Sequence, residues 1–313
     1  MSCHGAQLTV VCSSNITTSS STTAINSQSH INNKPPLIQT PSQSTETITM
    51  PPTNLLLGKT AIITGGTTGI GRAITLAFLS QGANVAVNHL DLPSDAAHLT
   101  SLISEAPSLP GKFAHVKGDV RDPATGPALV SFALSAFGVS RLDICVSNAG
   151  ICTFTPFLDI TQSLFENTVR TNLDGAFYVV QAAARQMAQQ DPPGGSIIGI
   201  SSISALVGGA EQGHYTPTKA GVLSLMQSAA CALGKYGIRA NAILPGTVRT
   251  QLNEEDLKDE KKREYMEGRI PLGRIGEARD VAGPAVFLAC EELSGYVTGA
   301  QVLVDGGLFV NLQ

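Results

Sequence analysis

From residue 58 onward, short β-branched apolar runs alternate with longer segments whose apolar residues recur at helical spacing. No single motif limits the possible folds as strongly as that alternation. Residues 60–64, 84–88, 113–118, 142–147, 196–200, 239–244 and 301–304 read as strands. Several are apolar without interruption, the pattern of parallel strands covered on both faces. Helical patterns at 71–81, 128–137, 164–190, 215–236 and 281–290 lie between them. Repetition of strand, helix and strand predicts an α/β fold: a doubly wound, mainly parallel seven-stranded sheet with helices on both faces and right-handed crossovers.

Residues 1–53 are different material. Twenty-three of the first fifty are Ser, Thr or Asn, and the only charged side chains there are Lys34 and Glu46. Such a segment cannot bury enough apolar surface to offset its ordering entropy, so a disordered tail is expected before a domain at 54–313. It has no Arg, unlike a mitochondrial presequence, and the apolar patch at 8–12 lacks the basic flank of a secretory signal. With Met50 just ahead of the ordered pattern, residues 1–49 read as an upstream extension. Residues 250–278 form a charged excursion expected to cross the carboxyl edge of the sheet as a substrate loop.

The formal net charge of −4 gives no electrostatic footprint for nucleic acid or an anionic membrane. No apolar run approaches the roughly 20 residues of a membrane span. Cys3, Cys12, Cys145, Cys152, Cys231 and Cys290 form no C-x-x-C pair and no metal-ligand spacing, so no metal is expected and a reducing, cytoplasmic setting fits.

Thr64-Gly65-Gly66-Thr67-Thr68-Gly69-Ile70-Gly71 follows the first strand and opens a helix. Glycines there allow a tight turn and let backbone amides approach a pyrophosphate, which a helix N-terminus also favours. This marks a Rossmann-type domain, with Gly65, Thr67, Gly69, Ile70 and Gly71 as cofactor-binding candidates. Asn88 ends the second strand, where a ribose-reading acid belongs in NAD enzymes. No acid stands there, and no Arg is placed to neutralise the 2′-phosphate of NADP. His89 offers little help. Both NAD and NADP remain open, with the balance on NAD because an uncompensated phosphate is the costlier fault. Asp119 is expected to accept a hydrogen bond from adenine, its alternative being to cap the next segment. Asn148, in Ser147-Asn148-Ala149-Gly150, ends the fourth strand at the same edge.

Tyr215 and Lys219 stand four residues apart, thirteen residues after Ser202. Positions i and i+4 share a helix face, so a phenol and an ammonium would lie side by side. A neighbouring cation favours the phenolate and lowers a pKa that is about 10 in a free tyrosine. Pro217 between them is compatible with the first turn of a helix.

Taken in order, TGGTTGIG, GDV, SNAG, Asn172 in TNLDGAF, Ser202, YTPTK, LPGTVRT and VDGG resemble the short-chain dehydrogenase/reductase family across residues 56–313. The resemblance implies that Tyr215 is the general base, that Lys219 lowers its pKa and holds the nicotinamide ribose, and that Ser202 orients the substrate oxygen. It implies that Asn172 anchors a water linked to Lys219, and that Val248 and Thr250 bracket the nicotinamide. Ser201 competes with Ser202, and the thirteen-residue spacing selects Ser202. A dimer or tetramer is implied, with the 215–236 helix and the 308–312 tail as candidate surfaces.

The second half, from GGSIIGISSISALVGGAEQGHYTPTKAG to VDGGLFVNLQ, is similar to a narrower group, the fungal L-rhamnose 1-dehydrogenases. That implies a small sugar substrate oxidised at C1 to a lactone. Ser202, Ser204, Gln212, Tyr215, Thr247 and Asn253 are the candidate hydroxyl partners. Rival readings are a reductase of 3-oxoacyl thioesters or of another sugar, and a catalytically silent dinucleotide sensor.

Overall fold

A computed structural model describes residues 54–254 and 256–311. The segment 1–53, expected to be a disordered tail, lies outside the described residues, as does Leu312.

Strand β1 (Thr60–Thr64) shows how the layers arise: all five residues are buried, and successive side chains enter opposite cores. Ala61 and Ile63 join one apolar cluster and Ile62 the other, the period of two that a doubly covered strand requires. In chain order there follow α1 (Gly69–Ser80), β2 (Asn84–His89), α2 (Ala96–Glu105), β3 (Phe113–Lys117), α3 (Thr125–Phe137), β4 (Ile144–Ser147), α4 (Gln162–Val169), α5 (Gly175–Gln189), β5 (Gly195–Ile200), α6 (Thr216–Leu233) and β6 (Ile238–Pro245). The chain ends through β7 (Val248–Arg249), α7 (Glu260–Arg269), β8 (Gly276–Glu277), α8 (Ala278–Ala289), α9 (Glu291–Ser294) and β9 (Gln301–Val304).

Seven strands form one sheet in the order β3-β2-β1-β4-β5-β6-β9, and every neighbouring pair is parallel. Ile74 and Phe78 of α1 pack with Val281 and Ala285 of α8 on one face. Leu129 of α3, Val179 and Met187 of α5 and Met226 of α6 cover the other. The strand order reverses between β1 and β4, which opens a crevice at the carboxyl ends of those strands.

Three local features depart from the expected elements. The continuous helix expected at 164–190 is interrupted by a π-helical turn at Arg170–Asp174, which carries the buried Asn172. Helix α2 buries only Leu102, so no apolar stripe marks it. The excursion contains α7, which buries no residue and is capped by Asp259 accepting from the Lys261 and Lys262 amides at 3.0 and 3.2 Å. Its base is closed by β7 and β8, which pair in parallel, Val248 with Gly276 and Arg249 with Glu277. Among the described residues, no helix is long and apolar enough to cross a membrane.

Candidate active site

A cleft of about 970 Å³ lies across the strand ends, lined from the turn after β1 to the excursion. At one end the walls are largely backbone. Gly65 has φ +61°, and a Cβ on Gly71 would stand 2.2 Å from the Gly65 carbonyl, so α1 can press against the turn only through glycine. The Asn148 amide donates to the Thr64 and Gly65 carbonyls at 2.9 and 3.1 Å, and the Thr64 hydroxyl accepts from the Asn148 and Ala149 amides at 2.9 and 3.0 Å. Thr68, the cap of α1, offers no side-chain acceptor to the first-turn amides, which leaves them to an anion. These features fit the pyrophosphate of a dinucleotide. Gly65, Thr67, Gly69, Ile70, Asn88, Asn148, Val248 and Thr250 all line the cleft; Gly71 lies behind it as a packing residue.

Two cofactor candidates already have partners within the protein. Asn88 lines the cleft with its side-chain amide bonded to neighbouring backbone. Its Oδ1 accepts from the Gly65 amide at 3.2 Å and its Nδ2 donates to the Gly118 carbonyl at 2.6 Å, which ties the ends of β1, β2 and β3 together. Asp119 does not line the cleft. Its carboxylate accepts from Arg121 Nε at 2.8 and 3.0 Å and from the Arg121 amide at 2.9 Å, which is the capping alternative.

Midway along the cleft, Tyr215 immediately precedes α6 and Lys219 lies in its first turn beside Pro217. The Lys219 Nζ stands 5.5 Å from the Tyr215 ring centroid and donates to the Ile200 carbonyl at 3.0 Å. Burial pulls the ammonium down to about 8. Burial pushes the Tyr215 phenol up, Cys152 pushes the same way, and the Ser202 hydroxyl opposes them. In the protein alone, desolvation is the largest influence on the phenol, and it acts against the acidification expected from a neighbouring ammonium. Ser202 Oγ accepts from the Ser204 amide at 3.1 Å and faces the cleft, while Ser201 spends its hydroxyl on the Lys219 carbonyl at 2.7 Å.

Asn172 is fully engaged. Its Oδ1 accepts from the Ile151 amide at 2.8 Å, and its Nδ2 donates to the Ile151 carbonyl at 2.9 Å and to the Thr218 hydroxyl at 3.1 Å. Through these bonds Asn172 fixes the loop after β4. That places Gly150 so close that a Cβ would meet Asn172 Oδ1 at 3.3 Å and Lys219 Nζ at 3.4 Å.

At the far end, Ser204, Gln212, Thr247 and Asn253 line the cleft. Ser204 Oγ donates to Gln212 Oε1 at 3.4 Å, and Gln212 Nε2 donates to the Cys152 thiol at 3.6 Å. Asn253 instead holds its own loop, donating to the Val248 carbonyl and accepting from the Thr250 amide, both at 2.9 Å. Cys152, Phe154, Lys262 and Met266 also line this end and were not among the candidates. Cys152 and Phe154 follow directly on Ser147-Asn148-Ala149-Gly150, a signal available from the strand end. Lys262 lies 5.4 Å over the Phe154 ring and comes from α7, whose mostly charged sequence hides it.

Over residues 65–309 the chain matches the family described as enoyl-(acyl carrier protein) reductase. It is 60% identical over 261 residues to the L-rhamnose-1-dehydrogenase of Scheffersomyces stipitis, spanning 83% of this chain and 100% of that relative. It is 55% identical over 259 residues to the L-rhamnose 1-dehydrogenase (NAD(P)(+)) of Azotobacter vinelandii, spanning 83% and 100%. A solved short-chain type dehydrogenase/reductase from Mycobacterium marinum superimposes with a TM-score of 0.73 at 34% identity, covering 81% of this chain and 96% of that one. The chain belongs to the short-chain dehydrogenase/reductase family.

Proposed function

We propose that the protein is an NAD(P)-dependent dehydrogenase that oxidises the C1 hydroxyl of L-rhamnose to the lactone. The observation that carries this reading is the 60% identity to an L-rhamnose-1-dehydrogenase over nearly the whole domain. The cleft supports it: a phenol and a serine hydroxyl converge between a backbone cradle and a polar pocket.

Ser202 accepts from the Ser204 amide and donates toward the Tyr215 phenol, and a sugar oxygen entering between the two hydroxyls takes over that proton. Tyr215 takes the proton of the C1 hydroxyl, a general-base contribution of roughly 10²–10⁴-fold. When bound, the oxidised nicotinamide supplies the acceptor for the C1 hydride and a positive charge beside the phenol. The backbone of the Gly65–Gly71 turn, with Thr67, Val248 and Thr250, holds the dinucleotide. Lys219 adds an ammonium that favours the phenolate and reaches the nicotinamide ribose. Asn172 acts through Ile151, fixing the loop after β4 beside Lys219. Ser204, Gln212 and Thr247 bind the remaining sugar hydroxyls.

Residues 54–313 form the catalytic domain, with 250–278 as its substrate loop, and 1–53 as a tail outside it. The enzyme works as a homodimer or homotetramer in the cytoplasm. Phe157, Leu158, Phe165 and Phe177, all exposed apolar side chains near or on α4 and α5, support a second copy there rather than on α6, whose Val222, Leu223 and Met226 are buried in the core.

Absorbance of the reduced nicotinamide tests the reading on L-rhamnose, L-mannose, L-lyxose, glucose and a 3-oxoacyl thioester. The highest kcat/KM is expected with L-rhamnose. Turnover confined to the thioester would instead favour the acyl reading, which rests on 38% identity to the (3R)-3-hydroxyacyl-CoA dehydrogenase of Mus musculus.

A further inference from the structure

The cofactor cleft has an unusual wall at the end of β2. His89 is buried, lines the cleft with Thr67 and Asp95, and shares a hydrogen bond of 3.2 Å between its Nε2 and Nδ1 of His115 on β3. The Asp91 amide donates to His89 Nδ1 at 3.1 Å. Because Nδ1 accepts, a neutral His89 carries its proton on Nε2, and His115 Nδ1 accepts that proton. Two hydrogen bonds thus lock the ring neutral. A second proton can enter only at Nδ1, where it must expel the Asp91 amide from a residue already in the left-handed region at φ +62°.

The end of the second strand is where a dinucleotide presents its adenosine 2′ position in this fold. The charged and titratable groups acting on His89 are His115 and Lys117 from β3 and Asp91 and Asp95 from the connection after β2. Lys117 pairs with Asp91 at 3.5 Å. The single cation of α1, Arg72, is taken by Glu105, the Ser101 hydroxyl and the His98 carbonyl. Among the described residues neither Lys117 nor Arg72 is dedicated to a 2′-phosphate, while the Asp91 and Asp95 carboxylates stand near His89. Burial, followed by the charge of His115, holds His89 below the usual histidine range, which agrees with the neutral ring.

We propose that the His89–His115 pair sets the dinucleotide preference: locked neutral it favours NAD, and a proton taken at His89 Nδ1 shifts the cleft toward NADP. The proposal rests on the dinucleotide reading of the cleft and is independent of the sugar.

Fluorescence titrations of the full chain with NADH and NADPH at pH 8 and pH 5.5, without sugar, test it. In the native protein the NADPH-to-NADH affinity ratio should rise about tenfold on acidification, a small part of the attraction between one unit charge and a nearby phosphate. In His89→Phe the rise should be clearly smaller, limited to what the phosphate's own proton contributes near pH 6. An equal rise in both proteins, or none in the native one, overturns the proposal. Binding of neither dinucleotide removes the cleft reading beneath it. Nitrogen-15 NMR of the native histidines gives a second check. His89 must hold its proton on Nε2 at pH 8 and gain the Nδ1 proton over the range in which the ratio changes; an Nδ1–H tautomer at pH 8 contradicts the proposal.

Discussion

The two ends of the cleft are made of different material. At the dinucleotide end, Asn88, Asn148 and the Thr64 hydroxyl stitch four strand ends together with hydrogen bonds of 2.6 to 3.2 Å, and the glycines leave no space for a side chain. At the sugar end, the connections after β4, β5 and β6 meet through Ser204 and Gln212 at 3.4 Å, Gln212 and Cys152 at 3.6 Å, and Lys262 over Phe154 at 5.4 Å. The contrast is one of load. The first end is continuous with the sheet and cannot be altered without disturbing it. The second hangs on side chains that can be exchanged while the sheet stays intact. Ser202, Tyr215 and Lys219 stand on the boundary, fixed by α6 and β5 yet open to the exchangeable side.

Changes at the boundary should cost activity without costing the dinucleotide. Tyr215→Phe is expected to lower kcat by about 10²–10⁴-fold, with the NADH dissociation constant nearly unchanged; a loss of both together would place the phenol in the binding end instead. Next in size is a pair of glycine substitutions. Gly71→Ala drives a Cβ to 2.2 Å from the Gly65 carbonyl and should lose about 1–3 kcal/mol in denaturant unfolding, with weaker NADH binding. Gly208→Ala at the sugar end meets nothing within 4 Å and should leave both unchanged.

Lys219 gives a comparison of similar size and opposite sign. Its ordinary value of 10.5 is held to about 8 in the fold, so between those values the unfolded chain binds more protons than the native one. Stability contributed by this site therefore rises with pH across that window, and below about pH 8 the penalty of the buried ammonium is complete. Lys219→Met should stabilise the protein at pH 7 by at most about 3 kcal/mol while abolishing turnover, less whatever the lost Ile200 hydrogen bond contributed. Urea melts at pH 7 and pH 10.5 check this: the gain should fade at the higher pH, and an equal gain at both would contradict it. Among the side-chain changes, the mildest effect is expected for Gln212→Ala, a roughly tenfold rise in the KM for sugar with NADH affinity intact, the scale of one lost hydrogen bond.

Sequence reading succeeded where burial imposes a period. The first and last strands of the sheet fall at residues 60–64 and 301–304 as expected, because alternate side chains must enter two cores. It missed α2, where Leu102 alone is buried, and the π turn, which carries the long-range grip of Asn172 on Ile151. Asn88 illustrates a second limit. A strand-end position marks where a ribose belongs, but not whether the side chain is already consumed by Gly65 and Gly118. The i to i+4 spacing likewise brought Tyr215 and Lys219 to one place, yet the direction of the phenol's pKa depends on desolvation, a property of the whole fold. Lys262 and Met266 stayed hidden because α7 buries nothing and leaves no apolar pattern.

Turnover with L-rhamnose deuterated at C1 tests the central claim most directly. If the cleft aligns C1 with the nicotinamide while Tyr215 removes the hydroxyl proton, the label moves to the reduced dinucleotide without exchange with solvent, and the sugar is recovered as the lactone or its hydrolysis product. Label retained in the sugar product, or solvent deuterium entering the dinucleotide, would contradict that account.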